Sequence, residues 1–428
     1  MEIPMNTPIS KEKYDYYVSL LNEELIPAMG CTEPIAIAYA AAVAKRTLGC
    51  EPESASIAVS GNIIKNAKSV VVPHTDGMRG IEAALVAGLV GGDADAYLEV
   101  LSSVTKEDIE KMRPVRDSLP ITVLLAENDL AFFIHIKLCA EGKSAEVVIE
   151  GRHTNIVEIR KNEEVVFVGN HEERAERKRR ELTVKEIVEF ADTVDLSDVK
   201  ETLERQIAYN MAIAEEGLKN NYGANIGKVY LAEYAPDLTI KAKAYAAAGS
   251  DARMNGCELP VIINSGSGNQ GMTASIPVII YARELNLSHE ELLRALCVSN
   301  LITLHIKSGI GTLSAYCGAV AAGAGAGCGV AYLYGGKYRE IAHTLVNALA
   351  IDSGLICDGA KASCAAKIAT AVENGLLGFH LFRTGNQFYG GDGIVKKGVE
   401  NTIDSVARLA KEGMRQTDIE ILNIMLDE

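Results

Sequence analysis

Positive charge is scarce in this chain. Lys and Arg number 42 against 57 Asp and Glu, a formal net charge of −15, and so acidic a protein lacks the basic face that nucleic acid or an anionic membrane requires of a partner. A small-molecule ligand is therefore expected, with no nucleic acid and no membrane; a homo-oligomer is compatible with the sequence. The one dense basic run, Arg174 to Arg180, is interleaved with Glu172, Glu173, Glu176 and Glu181, and reads as a solvated helical face or linker. The start, Met1 to Lys11, lacks the basic residues and apolar run of a signal peptide, which predicts a cytoplasmic protein. An even cysteine count is also missing: nine cysteines cannot pair completely within one chain, and a reducing compartment disfavours a disulfide framework. Some of them should bind metal or do chemistry. Formal charge is absent from Ser308 to Gly336, yet that stretch is mostly Gly and Ala. It gains little from lipid and suits close backbone packing inside a protein.

What is present divides by pattern. Residues Glu12 to Leu48 read as two helices, the second beginning near Pro34 and ending at Gly49. Short runs rich in β-branched residues follow at Ser56 to Val59, Ser69 to Val72, Ile121 to Leu125, Ala131 to Lys137, Ala145 to Glu150, Ile156 to Arg160 and Val165 to Val168, with Gly80 to Lys111 helical. After residue 182 strand-like runs are scarce and helix dominates. The expected fold is α+β: a mostly helical C-terminal lobe (182–428) packed with an N-terminal helical pair (1–49), and a smaller inserted α+β lobe (50–181). No repeat of fixed period is present.

Three segments carry possible chemistry. In Asn264-Ser-Gly-Ser-Gly-Asn-Gln-Gly271 the glycines fit a dinucleotide fingerprint, but the preceding apolar run is short and another helix follows where a second parallel strand is needed. A small-anion cradle, with backbone N–H groups at a helix start and Ser265, Ser267 and Asn269 adding side-chain bonds, suits an amino-acid carboxylate; a tight structural glycine turn is the alternative. In Met29-Gly-Cys-Thr-Glu-Pro34, Thr32 as N-cap places Cys31 beside a helix N-terminus, which is expected to lower the thiol pKa; a buried, inert Cys31 is the alternative.

The third segment is the cysteine set Cys317, Cys357 and Cys364. Zinc usually takes shorter spacing and four protein ligands, whereas thiols in this arrangement can reach one polynuclear centre. Cys328 shares a helical face with Cys317 but stands about 16 Å away along a straight helix, too far for one cubane. Three ligands and one open iron, or three buried cysteines, are the readings left. Cys50, Cys139, Cys257 and Cys297 have no partner at a telling spacing.

On these residues the chain resembles the L-cysteine desulfidase family, which is related to the iron-sulfur L-serine dehydratases. The resemblance covers most of the sequence and is carried by Met29 to Pro34, Ser60-Gly-Asn62, Asn264 to Gly271, Ser314-Ala-Tyr-Cys-Gly318 and the Cys357 and Cys364 segment. It implies a 4Fe-4S cluster with one open iron on Cys317, Cys357 and Cys364, Cys31 as the base, substrate contacts at Asn62, Ser265, Ser267 and Asn269, and no PLP. Some related serine dehydratases cap the open iron with a C-terminal cysteine, whereas Asn423 to Glu428 contains none, which favours the desulfidase branch. The implied activity is oxygen-sensitive β-elimination of L-cysteine to sulfide, pyruvate and ammonium. A serine dehydratase, a non-catalytic iron-sulfur redox sensor and a nucleotide-dependent oxidoreductase are the competing functions.

Overall fold

The computed structural model describes residues 9–170, 181–311 and 313–427; the basic run 174–180 lies outside them. The expected α+β architecture is present, a mostly helical lobe with a small sheet lobe. The strands are β1 (Pro27–Ala28), β2 (Ser54–Val59), β3 (Ile121–Leu125), β4 (Phe133–Ala140), β5 (Lys143–Glu150), β6 (Ile156–Lys161), β7 (Glu164–Val168) and β8 (Val261–Ile262). A six-stranded sheet runs β3-β2-β4-β5-β6-β7, antiparallel except for the β2–β3 pair.

Alternation decides which sheet face is buried. Ile57, Ile136 and Val147 stand opposite one another across β2, β4 and β5, as do Val59, Ile134 and Ile149, and all six are fully buried. The Ala-rich helix Thr32–Leu48 lies on this face against β4 and β5, with the helix Ile81–Gly91 beside it. Their backbones approach so closely that a Cβ on Gly88 would collide with the carbonyl of Ala38.

Three local expectations change. Ser69 to Val72 forms no strand and contributes only an isolated bridge between Val71 and Arg79; Val70, Val71 and Val72 are apolar because they pack into the interior, not because they pair. Gly80 to Lys111 divides into Ile81–Gly91 and Lys106–Ser118. Gly91 and Gly92 interrupt the first, and Thr105 with Asp108 forms a capping box that starts the second. A short helix, Gly61–Ala67, stands where no element was expected.

The helical lobe is built around Gly318–Leu333, which packs against Gly268–Glu284, His289–Ile310, Tyr338–Ile351 and Cys364–Arg383. Residues 319–331 are buried, and glycines allow these contacts: an added Cβ at Gly323, Gly327 or Gly375 would meet backbone of the facing helix. This is the close packing expected of the uncharged Gly/Ala stretch. No helix among the described residues is long and apolar enough to cross a membrane.

The N-terminal pair splits between the lobes. Lys11–Glu24 joins the helical lobe through Tyr14 and Tyr17 against Phe190 and an ion pair of Lys13 with Glu186. Thr32–Leu48 instead lies mainly on the sheet, and only its first turn reaches the helical lobe, where Thr32 Oγ1 donates to the carbonyl of Gly266 at 3.0 Å. Antiparallel pairing of β1 with β8, Pro27 opposite Ile262 and Ala28 opposite Val261, fixes the 29–34 segment beside the 264–271 turn.

Candidate active site

Cys31 is the residue at which extended chain becomes helix. Its backbone is extended (φ −77°, ψ 130°), Thr32 is the first helical residue, and no side chain caps the helix, so the expected capping role of Thr32 moves one position to Cys31. The thiol donates to Glu33 Oε2 at 3.0 Å. The same carboxylate accepts through Oε1 from Asn66 Nδ2 at 3.2 Å, and Thr32 Oγ1, whose one proton goes to Gly266, stands 3.2 Å from Oε2. His153 Nε2 stands 3.7 Å from Oε1, an ion-pair distance too long for a hydrogen bond.

These contacts overturn the expectation of an acidic Cys31. Burial pushes the thiol well up, the Glu33 carboxylate pushes it further, and Arg253 pulls only partly against them. Burial and a neighbouring anion thus outweigh the helix N-terminus. Burial would raise Glu33 as well, but His153 and the Cys31 thiol hold it down at about 2. Cys31 is thus a buried thiol that donates to a carboxylate.

The 264–271 segment turns through two left-handed residues, Ser265 (φ 51°) and Gly266 (φ 78°), closed by reciprocal backbone hydrogen bonds between Asn264 and Ser267. Gly268 and Gly271 answer to packing: a Cβ on Gly271 would strike the carbonyl of Ile262, and one on Gly268 would strike the Arg253 guanidinium. The helix Gly268–Glu284 begins without a side-chain cap, leaving N–H groups at its start open to an anion. Ser265 Oγ is engaged with Asn264 Oδ1 at 3.0 Å, while Asn269 Oδ1 and Gln270 Oε1 are buried without partners. β8 pairs antiparallel with β1 and the next element is the helix His289–Ile310. No βαβ dinucleotide unit is formed there.

Two backbone strips bring the cysteines together. Tyr316 and Ile356 form an antiparallel bridge, flanked by hydrogen bonds from Cys317 N to Leu355 O (2.9 Å) and from Cys357 N to Ala315 O (2.7 Å). Cys317 caps the helix Gly318–Leu333 and Cys364 opens Cys364–Arg383, neither with a side-chain cap. The neighbouring Cys317 lowers Cys357, with Lys65 and Lys367 assisting, and Cys317 is correspondingly raised. Burial raises Cys364.

One chamber of about 100 Å³ is lined by Cys31, Ser265, Ser267, Asn269, Cys317, Cys357 and Cys364 together. Of the candidate cluster, base and substrate-binding residues, Asn62 alone lies elsewhere. It lines a wider neighbouring cleft of about 900 Å³ that shares Leu313 and Ser314 with the chamber. Cys328 is fully buried, with its thiol 3.7 Å from Ile341 O, and lies outside both.

The sequence reading missed Glu33, His153 and Arg253 as chamber residues. Arg253 had a visible signal, a lone guanidinium in the Ala-rich run Leu238–Met254; His153, from a loop before β6, had none. Among the described residues no three His, Cys, Asp or Glu side chains are gathered tightly enough for a single metal ion. Three thiols lining one chamber offer the soft donors that a polynuclear sulfide cluster prefers. The uncapped helix starts at Cys31, Ser267, Cys317 and Ser363 suit an anionic occupant.

The chamber is thiol-rich and is lined from both the helical lobe and the sheet lobe. The family model described as "Serine dehydratase alpha chain" matches residues 95–423, and the chain belongs to that family, one of dehydratase-type lyases. It is 55% identical over 418 residues to a UPF0597 protein of Desulfitobacterium hafniense, covering 97% of each chain. It is 50% identical over 416 residues to a UPF0597 protein of Lachnoclostridium phytofermentans, covering 97% of this chain and 100% of that one.

Proposed function

We propose that this protein is a PLP-independent L-cysteine desulfidase that holds a 4Fe-4S cluster on Cys317, Cys357 and Cys364. The observation that carries the reading is the common chamber: three thiols, a fourth separate thiol at Cys31, and several uncapped helix starts face the same small space. When bound, the cluster supplies a soft Lewis acid at its open iron, suited to a thiolate leaving group.

The protein's own residues supply the proton chemistry. Cys31 removes the Cα proton, and to do so it must first surrender its own. That proton leaves to solvent, and Glu33, which accepts from the thiol at 3.0 Å and from Asn66 on its other oxygen, orients the sulfur. Loss of the Cα proton and of sulfide from Cβ leaves aminoacrylate, which tautomerises and hydrolyses to pyruvate and ammonium. Electrons balance without an external oxidant or reductant.

The family match supports a second reading, the same site acting on L-serine with hydroxide as leaving group. A competition assay under anaerobic conditions decides between them. Supplied with both amino acids, the reconstituted protein should consume L-cysteine in preference to L-serine; preference for L-serine would assign a dehydratase, and turnover of neither would refute both.

A further inference from the structure

One strong cation in the chamber has donors that no protein group uses. Arg253 is 2% exposed, lines the chamber, and its Nε and Nη2 have no hydrogen-bond partner. Buried unpaired donors are rare in folded proteins and mark a missing acceptor. Glu33 is the nearby carboxylate, but it accepts from Cys31 and Asn66 and makes no hydrogen bond to Nε or Nη2. The guanidinium lies against Gly268, where a side chain would collide with Nε and Cζ, and therefore beside the uncapped start of the Gly268–Glu284 helix.

A guanidinium presents parallel N–H donors that match the two oxygens of a carboxylate, and a helix start adds backbone donors of the same sign. We propose that Arg253 is the specificity-determining residue that receives the α-carboxylate of the substrate, jointly with the 268–270 backbone, and so restricts the chamber to small molecules with a free carboxylate. This rests on reading the chamber as an amino-acid site. It also reassigns the carboxylate contact expected of Ser265, whose hydroxyl is occupied by Asn264.

The test uses anaerobically reconstituted protein and two probes that share a thiol: 3-mercaptopropionate, with a carboxylate and no ammonium, and cysteamine, with an ammonium and no carboxylate. Binding is read by thermal shift and titration, with visible absorption confirming equal cluster content. Wild type should bind 3-mercaptopropionate, and Arg253→Met should weaken that binding by about a hundredfold while leaving cysteamine nearly unchanged. Arg253→Lys keeps the charge without the fork, and Gly268→Ala keeps the arginine but displaces it; both should also lose affinity for 3-mercaptopropionate, and they carry the test if Arg253→Met does not fold. Wild-type affinity in Arg253→Lys and Gly268→Ala, or equal losses for both probes, would make Arg253 a general counter-charge and overturn the proposal. Since these readouts are of binding, absence of sulfide release from L-cysteine would refute the desulfidase reading and leave the carboxylate assignment standing or falling separately.

Discussion

Gly375→Ala tests how the two cysteine-bearing helices are held. A Cβ at position 375 would lie 1.9 Å from the carbonyl oxygen of Gly323, where real Cβ atoms essentially never approach within 3.0 Å. The obstacle is backbone, so Gly318–Leu333 and Cys364–Arg383 must separate by more than about 1 Å in a closely packed interior. Overpacking of this kind typically costs about 1–3 kcal/mol, and more where backbone must move; the better helix propensity of Ala returns about 1 kcal/mol. A net loss of about 2 kcal/mol is expected, read as a lower urea midpoint at unchanged m-value. Gly354→Ala is the control, since its nearest neighbour, Met414 Sδ, is 4.0 Å away, and it should stay within about 0.5 kcal/mol of wild type. Because Cys317 caps one of the two helices and Cys364 opens the other, Gly375→Ala should also retain less iron after reconstitution. A Gly375→Ala protein as stable and as iron-rich as Gly354→Ala would refute this account of the helix pair.

Cys317→Ala, Cys357→Ala and Cys364→Ala should each abolish the broad visible absorption of anaerobically prepared protein while Cys328→Ala keeps it; equal loss in Cys328→Ala would displace the proposed ligand set. Cys31→Ser should keep that absorption and lose roughly 10²–10⁴-fold in turnover, the usual worth of a general base, and normal turnover would place the base elsewhere. Glu33 is held at about 2 in the folded protein against about 4.3 for an ordinary glutamate. Its stabilising contribution is therefore fully present above about pH 4.3 and is lost as pH falls toward 2. The stability advantage of wild type over Glu33→Gln should shrink over that interval, and an advantage independent of pH between 6 and 2 would show that the carboxylate charge is not its source.

The sequence disclosed most of the elements because their signals are local. Runs of β-branched residues exposed β2 through β7 to within a few residues, and the Gly/Ala content of Ser308 to Gly336 announced close backbone packing before any partner was known. Where burial of a loop imitates a strand, as at Ser69 to Val72, β-branched composition misleads. The motif residues converge because β1 pairs with β8 and Tyr316 with Ile356, long-range events that no local pattern encodes. The Cys31 pKa shows the same limit: a helix start is visible in sequence, but the burial and the Glu33 contact that outweigh it depend on tertiary packing. His153 reaches Glu33 from a loop in the sheet lobe more than a hundred residues away, and nothing in its neighbourhood marks it.

The central claim, that elimination depends on a cluster held at Cys317, Cys357 and Cys364, is tested most directly by measuring sulfide and pyruvate release from L-cysteine against bound iron. Protein reconstituted anaerobically to graded iron content should release the two products in equal amounts, at a rate rising in proportion to iron and vanishing in its absence. Equal turnover by iron-free protein would contradict the account.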